Sequence, residues 1–185
     1  MSLQKIALYL NCARIFALPV TILPWFVIFI YSYINSGNIL YGLIALVGLC
    51  FAHLGANLLD DYFDYKFLIK QVNFDKEEYL KNSQKTKCRY LINGVMSEKD
   101  LFLLACKYFL AAFLVGLFLF FKCGIGVLYF GLIGAFVAVL YSFASRYCLA
   151  ELMLFIAYGP AIFGGVYYVM CGTYSWNVFW LSLPT

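Results

Sequence analysis

Apolar runs of about 20 residues, the length a helix needs to cross the hydrocarbon core of a bilayer, recur through this sequence with almost no charge inside them. Hydropathy read in a window of about 19 residues places spans at 15–34, 39–59, 101–121, 124–143 and 150–171. A further apolar stretch begins near Tyr174 and amounts to a partial sixth span. The expected fold is therefore all-α: one polytopic membrane helix bundle over residues 1–185, with the lipid bilayer as its solvent. Composition agrees, because 65% hydrophobic and 12% charged residues leave too little polar surface for a soluble domain of this length. The first apolar stretch follows Lys5 and Arg14 and runs to Ile34 without a small-residue cleavage site. It reads as a span, not a signal peptide.

The few charges are concentrated. Of 22 charged residues, 16 lie between Asp60 and Asp100, in a connector of about 60–100. The remaining connectors, such as Asn35 to Asn38 and Lys122-Cys123, are short and make successive spans antiparallel neighbours. Lys5, Arg14, eight basic residues of the long connector and Arg146 fall on one side, against Lys122 alone on the other. The positive-inside rule then puts the long connector in the cytoplasm. Nothing in this distribution indicates nucleic acid. Ser97-Glu98-Lys99-Asp100 has the form of a capping box opening the third span. Apolar Phe67, Leu68, Ile69, Val72 and Phe74 among the charges of residues 66–87 suit either a short amphipathic helix or a solvated loop. The seven cysteines include no CxxC pair and read as small packing residues. Gly42, Gly48, Gly55, Gly159, Gly164 and Gly165 would allow close helix approach. Pro19, Pro24 and Pro160 are expected kinks.

One polar stripe interrupts this pattern. At about 100° per residue, His53, Asp60, Asp61 and Asp64 all fall within about 60° of Asn57 on the second span. Three carboxylates and an amide at one end of a span repel one another unless a cation sits among them, and oxygen ligands suit Mg²⁺. Mg²⁺ commonly takes one or two carboxylates together with phosphate oxygens, so a diphosphate is the natural complement. The alternative is that Asp60, Asp61 and Asp64 are water-facing residues beyond the helix end. Against it stands the macrodipole, which disfavours acids at a helix C-terminus. A lone buried His53 is more often a packing residue than a ligand.

The run from Asn57 to Lys66 resembles the first aspartate-rich motif of the UbiA superfamily of intramembrane prenyltransferases. Arg89-Tyr90-Leu91-Ile92-Asn93-Gly94 is similar to that family's Arg-x-Leu-x-x-Gly segment, Tyr141-Ser142 with Arg146 to the end of its fourth helix, and Glu151 with Gly159-Pro160 to the start of its fifth. The Asp-Tyr-Phe-Asp-Tyr-Lys wording looks most like the branch that prenylates 1,4-dihydroxy-2-naphthoate in menaquinone synthesis.

The resemblance implies Mg²⁺-dependent transfer of a polyprenyl chain from prenyl diphosphate to an aromatic acceptor. Asn57, Asp61 and Asp64 would hold Mg²⁺ and orient the diphosphate, with Asp60 beside them. Arg14, Arg89, Tyr141 and Arg146 would bind substrate, and Tyr62, Phe63 and Tyr141 could shield a carbocation with their ring faces. The family's second aspartate-rich motif has no counterpart among these 185 residues. The expectation is accordingly an N-terminal portion of such an enzyme with doubtful activity by itself. Two alternatives stay open: a split enzyme whose missing helices come from a second chain, and a small membrane protein that binds or transports a divalent cation.

Overall fold

A computed structural model describes residues 3–71, 74–81 and 88–183, with side chains from residue 8 onward. Helix is the only regular structure among them. In chain order the helices are α1 (Leu3–Cys12), α2 (Pro19–Ile34), α3 (Ile39–Leu68), α4 (Lys76–Lys81), α5 (Arg89–Ile92), α6 (Glu98–Cys123), α7 (Gly126–Ala144), α8 (Ala150–Ile156), α9 (Ile162–Cys171) and α10 (Trp176–Leu181). Short 3₁₀ turns at Ile15–Ala17 and Ser145–Tyr147 flank the bundle helices, and a π-turn at Ala157–Ala161 joins α8 to α9. Among the described residues, five segments are long and apolar enough to cross a membrane: Ile15–Ile34, Ile39–Leu68, Glu98–Cys123, Gly126–Tyr147 and Ala150–Cys171. The protein is an integral membrane helix bundle, as its apolar runs require.

Three differences from the sequence reading have physical causes. The second span was expected to end at Leu59, but α3 continues to Leu68 as a 30-residue helix. At 1.5 Å per residue that is about 45 Å, longer than the ~30 Å core. Hydropathy registers where a segment stops being apolar, and this helix outlasts the change. Asp60, Asp61 and Asp64 therefore sit within a helix rather than beyond it, and the macrodipole at its end acts on Lys66, a basic residue in the last turn. Secondly, Pro19 is no kink: it occupies the first turn of α2, where its missing N–H costs nothing. Pro24 lies inside α2, and Pro160 lies inside the π-turn, which absorbs its missing donor. Thirdly, α1 precedes the first span, and its Leu8, Tyr9 and Cys12 pack against the bundle.

Other local expectations hold. Ser97 caps α6, its Oγ accepting from the Asp100 backbone N–H at 3.1 Å. Among the described residues of 66–87, α3 ends at Leu68 and the six-residue α4, largely exposed, is the one further helix, while residues 72–73, Val72 included, and 82–87 lie outside the described set. Gly42 lets α2 approach α3 closely enough for Trp25 Nε1 to donate to its carbonyl at 3.0 Å.

Packing divides the interior into two cores. One joins α2, α3 and α9 through Trp25, Ile28, Phe163, Val166 and Met170, with Val178 of α10 added. The second gathers Cys12, Ala13, Leu54, Leu58, Cys88, Leu91, Met96, Leu101 and Ala105 around the charged end of α3. Side chains such as Phe16, Phe121 and Phe136 are exposed at the perimeter, where lipid is the natural solvent. The second core is the platform for the acidic stripe.

Candidate functional site

The stripe on α3 is enclosed by three segments distant in sequence. Arg14 closes the first. It follows α1 with φ 56°, a left-handed conformation that few non-glycine residues adopt, and the turn carries its guanidinium against α3. Nη2 donates to Asp61 Oδ1, and Nη1 lies 3.9 Å from Asp60 Oδ2. The residue before it is also engaged, because Asn57 Nδ2 donates to the Ala13 carbonyl at 3.1 Å. The second segment is α5 with its preceding residue. Tyr90 Oη donates to Asp61 Oδ2 at 2.8 Å, and Cys88 Sγ donates to the Asp61 carbonyl at 3.3 Å. The third is the end of α7, where Ser142 Oγ donates to Asp60 Oδ1 at 2.8 Å and Arg146 Nη2 approaches Asp64 Oδ1 at 3.8 Å.

Asp60 and Asp61 are 3% and 2% exposed, so two carboxylates are buried side by side. Burying such charges costs several kcal/mol each unless they are paired. The pairing is supplied by a guanidinium and two hydroxyls. Burial alone would lower the Arg14 pKa, but Asp61 and then Asp60 outweigh it and the net direction is upward. Tyr90 is also pushed up, by burial first and then by Asp61, which keeps its hydroxyl a donor. Asp64 is less enclosed and lines a cleft of about 190 Å³ with Phe67, Leu68, Tyr79 and Cys88.

The predicted residues are thus only partly gathered. Arg14, Asn57, Asp60 and Asp61 share one hydrogen-bonded cluster, and Arg146 stands at its edge with Asp64. Arg89 is directed elsewhere, Nη2 donating to the Leu80 carbonyl of α4 at 2.7 Å. Tyr141 lies in the last turn of α7, next to Ser142. Tyr62 packs on Phe102 of α6, and Phe63 on Phe143 of α7. The proposed oxygen ligands are hard donors, a chemistry that fits Mg²⁺. Their arrangement differs from the expected one, however: no three His, Cys, Asp or Glu side chains among the described residues are grouped as a metal site. Arg14, paired with Asp61 and 3.9 Å from Asp60, already serves these carboxylates as a cation.

The model of the UbiA prenyltransferase family matches residues 15–185. The chain belongs to the UbiA prenyltransferase family. No curated protein and no solved structure gives a match.

For a UbiA protein, a prenyltransferase of the bilayer, prenyl diphosphate and aromatic substrates are the ligands that the family implies. Tyr90 and Ser142 were not singled out from the sequence, although each adjoins a residue that was. Neither type is distinctive in a chain with 16 tyrosines. Their partners lie 29 and 82 residues away, a separation no local pattern reveals.

Proposed function

We propose that this protein transfers a polyprenyl chain from its diphosphate to a hydroxylated aromatic ring, in Mg²⁺-dependent chemistry of the quinone-biosynthesis type. The observation that carries the reading is the Arg14–Asp61–Tyr90 cluster within a membrane bundle of this family: buried carboxylates held beside a guanidinium at one end of a span. A diphosphate carries several anionic oxygens. Arg14 offers them a fork of donors, and Asn57, Asp61 and Asp64 are the side chains that would hold Mg²⁺ beside it. When bound, the ion neutralises charge on the departing diphosphate.

The chain's own residues supply the rest. Asp60 is kept in place by Ser142, and Tyr90 holds Asp61 so that the cluster is organised before substrate arrives. The apolar bundle keeps water from an allylic cation. Arg146, over the Phe67 ring at 4.3 Å and beside Asp64, is a second cation for the diphosphate at the cleft. The wording of the motif favours 1,4-dihydroxy-2-naphthoate as the aromatic substrate, and the basic flanks favour a cytoplasmic site.

Equilibrium binding of farnesyl diphosphate to the purified protein in nanodiscs, with and without Mg²⁺, tests this reading. Binding that requires Mg²⁺ and is lost in Asp61→Asn supports it. Equal binding by wild type and Asp61→Asn would sink it.

A further inference from the structure

One half-buried polar side chain takes no part in the cluster. His53, the single histidine of the chain, lies one turn deeper in α3 than Asn57 and on the same face. Its ring is held from one side only. Thr21 Oγ1 of α2 is 2.8 Å from Nδ1, and Tyr158 Oη is 3.0 Å from the same atom. Tyr158 is presented by the π-turn at Ala157–Ala161, so three helical segments meet at this nitrogen. Two hydroxyls at one ring nitrogen can place their hydrogens only if that nitrogen accepts, directly or through each other. Nδ1 is then the acceptor and the ring proton resides on Nε2. That atom is buried, and no described residue hydrogen-bonds it. A buried N–H without a partner is costly to maintain, whereas an ordinary packing histidine would satisfy both nitrogens.

From this we infer that His53 Nε2–H is a specificity-determining donor that receives an oxygen substituent of the aromatic co-substrate. The inference rests on the prenyl-transfer reading above and adds to it a recognition point on the ring substrate. Three features place the donor suitably. It shares a face with the acidic stripe, and about 6 Å of helix rise separates it from Asn57. Its orientation is locked by Thr21 and Tyr158, so little freedom is lost on binding. Nε2 is itself buried, and a single hydrogen bond out of water is stronger and more discriminating. The chemistry recognised is an oxygen on an aromatic ring: a hydroxyl, carbonyl or carboxyl.

Two substitutions separate the nitrogens. His53→Asn keeps a polar atom near Nδ1 and lacks the outer donor, whereas His53→Gln places an N–H near Nε2. Initial rates of transfer from farnesyl diphosphate to 1,4-dihydroxy-2-naphthoate, measured on the full chain in nanodiscs, should show KM for the naphthoate raised about tenfold or more in His53→Asn. KM for farnesyl diphosphate should be unchanged, and His53→Gln should stay close to wild type. Equal impairment of both variants, or none in either, overturns the inference. A wild-type measurement needs no variant to fold. With ¹⁵N-labelled histidine the protein gives the resonances of one ring, and adding the naphthoate should move Nε2 while Nδ1 stays. Wild-type turnover with a static Nε2 refutes this inference alone. Absence of wild-type turnover removes the prenyl-transfer reading, and the inference with it.

Discussion

Arg14→Gln would leave Asp60 and Asp61 buried side by side without their guanidinium. Removing one partner of a fully buried ion pair costs about 3–5 kcal/mol. Two features reduce that figure here. The Arg14 side chain is 26% exposed, so part of the interaction is screened. Asp60 and Asp61 also keep the hydroxyls of Ser142 and Tyr90. The expected loss is about 2–3 kcal/mol, which for a chain of this size is a fall in Tm of roughly 4–12 °C. Asp61→Asn removes the charge but little volume, and much of the Arg14→Gln penalty is the charge that Asp61→Asn removes. The double variant should therefore be more stable than additivity predicts, by at least about 1 kcal/mol. Thermal unfolding of wild type, both single variants and the double variant in one detergent measures the coupling. Losses that add within about 0.5 kcal/mol would refute the claim that Arg14 is the resident counter-ion of the cluster.

Other consequences are open to measurement. Tyr90→Phe should cost about 1.5–3 kcal/mol, the worth of a hydrogen bond to a charged acceptor. Because the Tyr90 pKa is raised in the folded state, first by burial and then by Asp61, its contribution is fully present below the ordinary tyrosine range near pH 10 and is lost as pH rises beyond it. A Tm difference between Tyr90→Phe and wild type that vanished between pH 6 and 9 would contradict this. The Cys12 thiol is pushed up to about 11, by burial and then by Asp61. Iodoacetamide at pH 8 should modify it far more slowly than the exposed Cys148, as mass spectrometry of a labelling time course would show. At Gly126 an added Cβ would fall 2.3 Å from the Tyr168 ring, whereas at Gly116 it would meet nothing within 4 Å. Gly126→Ala should cost about 1–3 kcal/mol of stability by overpacking, and Gly116→Ala, inside α6 with open space at its Cβ, should keep Tm or raise it slightly.

The bundle was legible in the sequence because its spans are read by length and apolarity alone, and neither depends on what packs against what. The end of α3 was not, since helicity persists past Asp60 after hydropathy has fallen. The stripe itself was legible through the helical period, which aligns Asn57, Asp61 and Asp64 without tertiary information. Which group would neutralise it was not. Arg14 reaches Asp61 only through a left-handed turn and a chain separation of 47 residues, so a reading confined to α3 could not see the guanidinium beside the acids. Similarly, Arg89 stood out by charge, yet α5 turns its neighbour Tyr90 toward the acids and Arg89 toward α4. His53 was visible as a lone histidine on the stripe. Its significance lies in an unmatched nitrogen, which only the positions of Thr21 and Tyr158 expose.

Product formation at the α3 cluster is the most direct test of prenyl transfer. Purified wild-type protein and its Asp61→Asn and Asp64→Asn variants, each reconstituted in nanodiscs with Mg²⁺, would be given radiolabelled farnesyl diphosphate and 1,4-dihydroxy-2-naphthoate. Organic extraction then separates prenylated ring from unreacted diphosphate. Wild type should form the prenylated naphthoate, and both variants should fall at least a hundredfold, as loss of a main electrostatic contributor to catalysis does. Product formed at the wild-type rate by either variant, or no product from wild type, would contradict the assignment of that chemistry to this site.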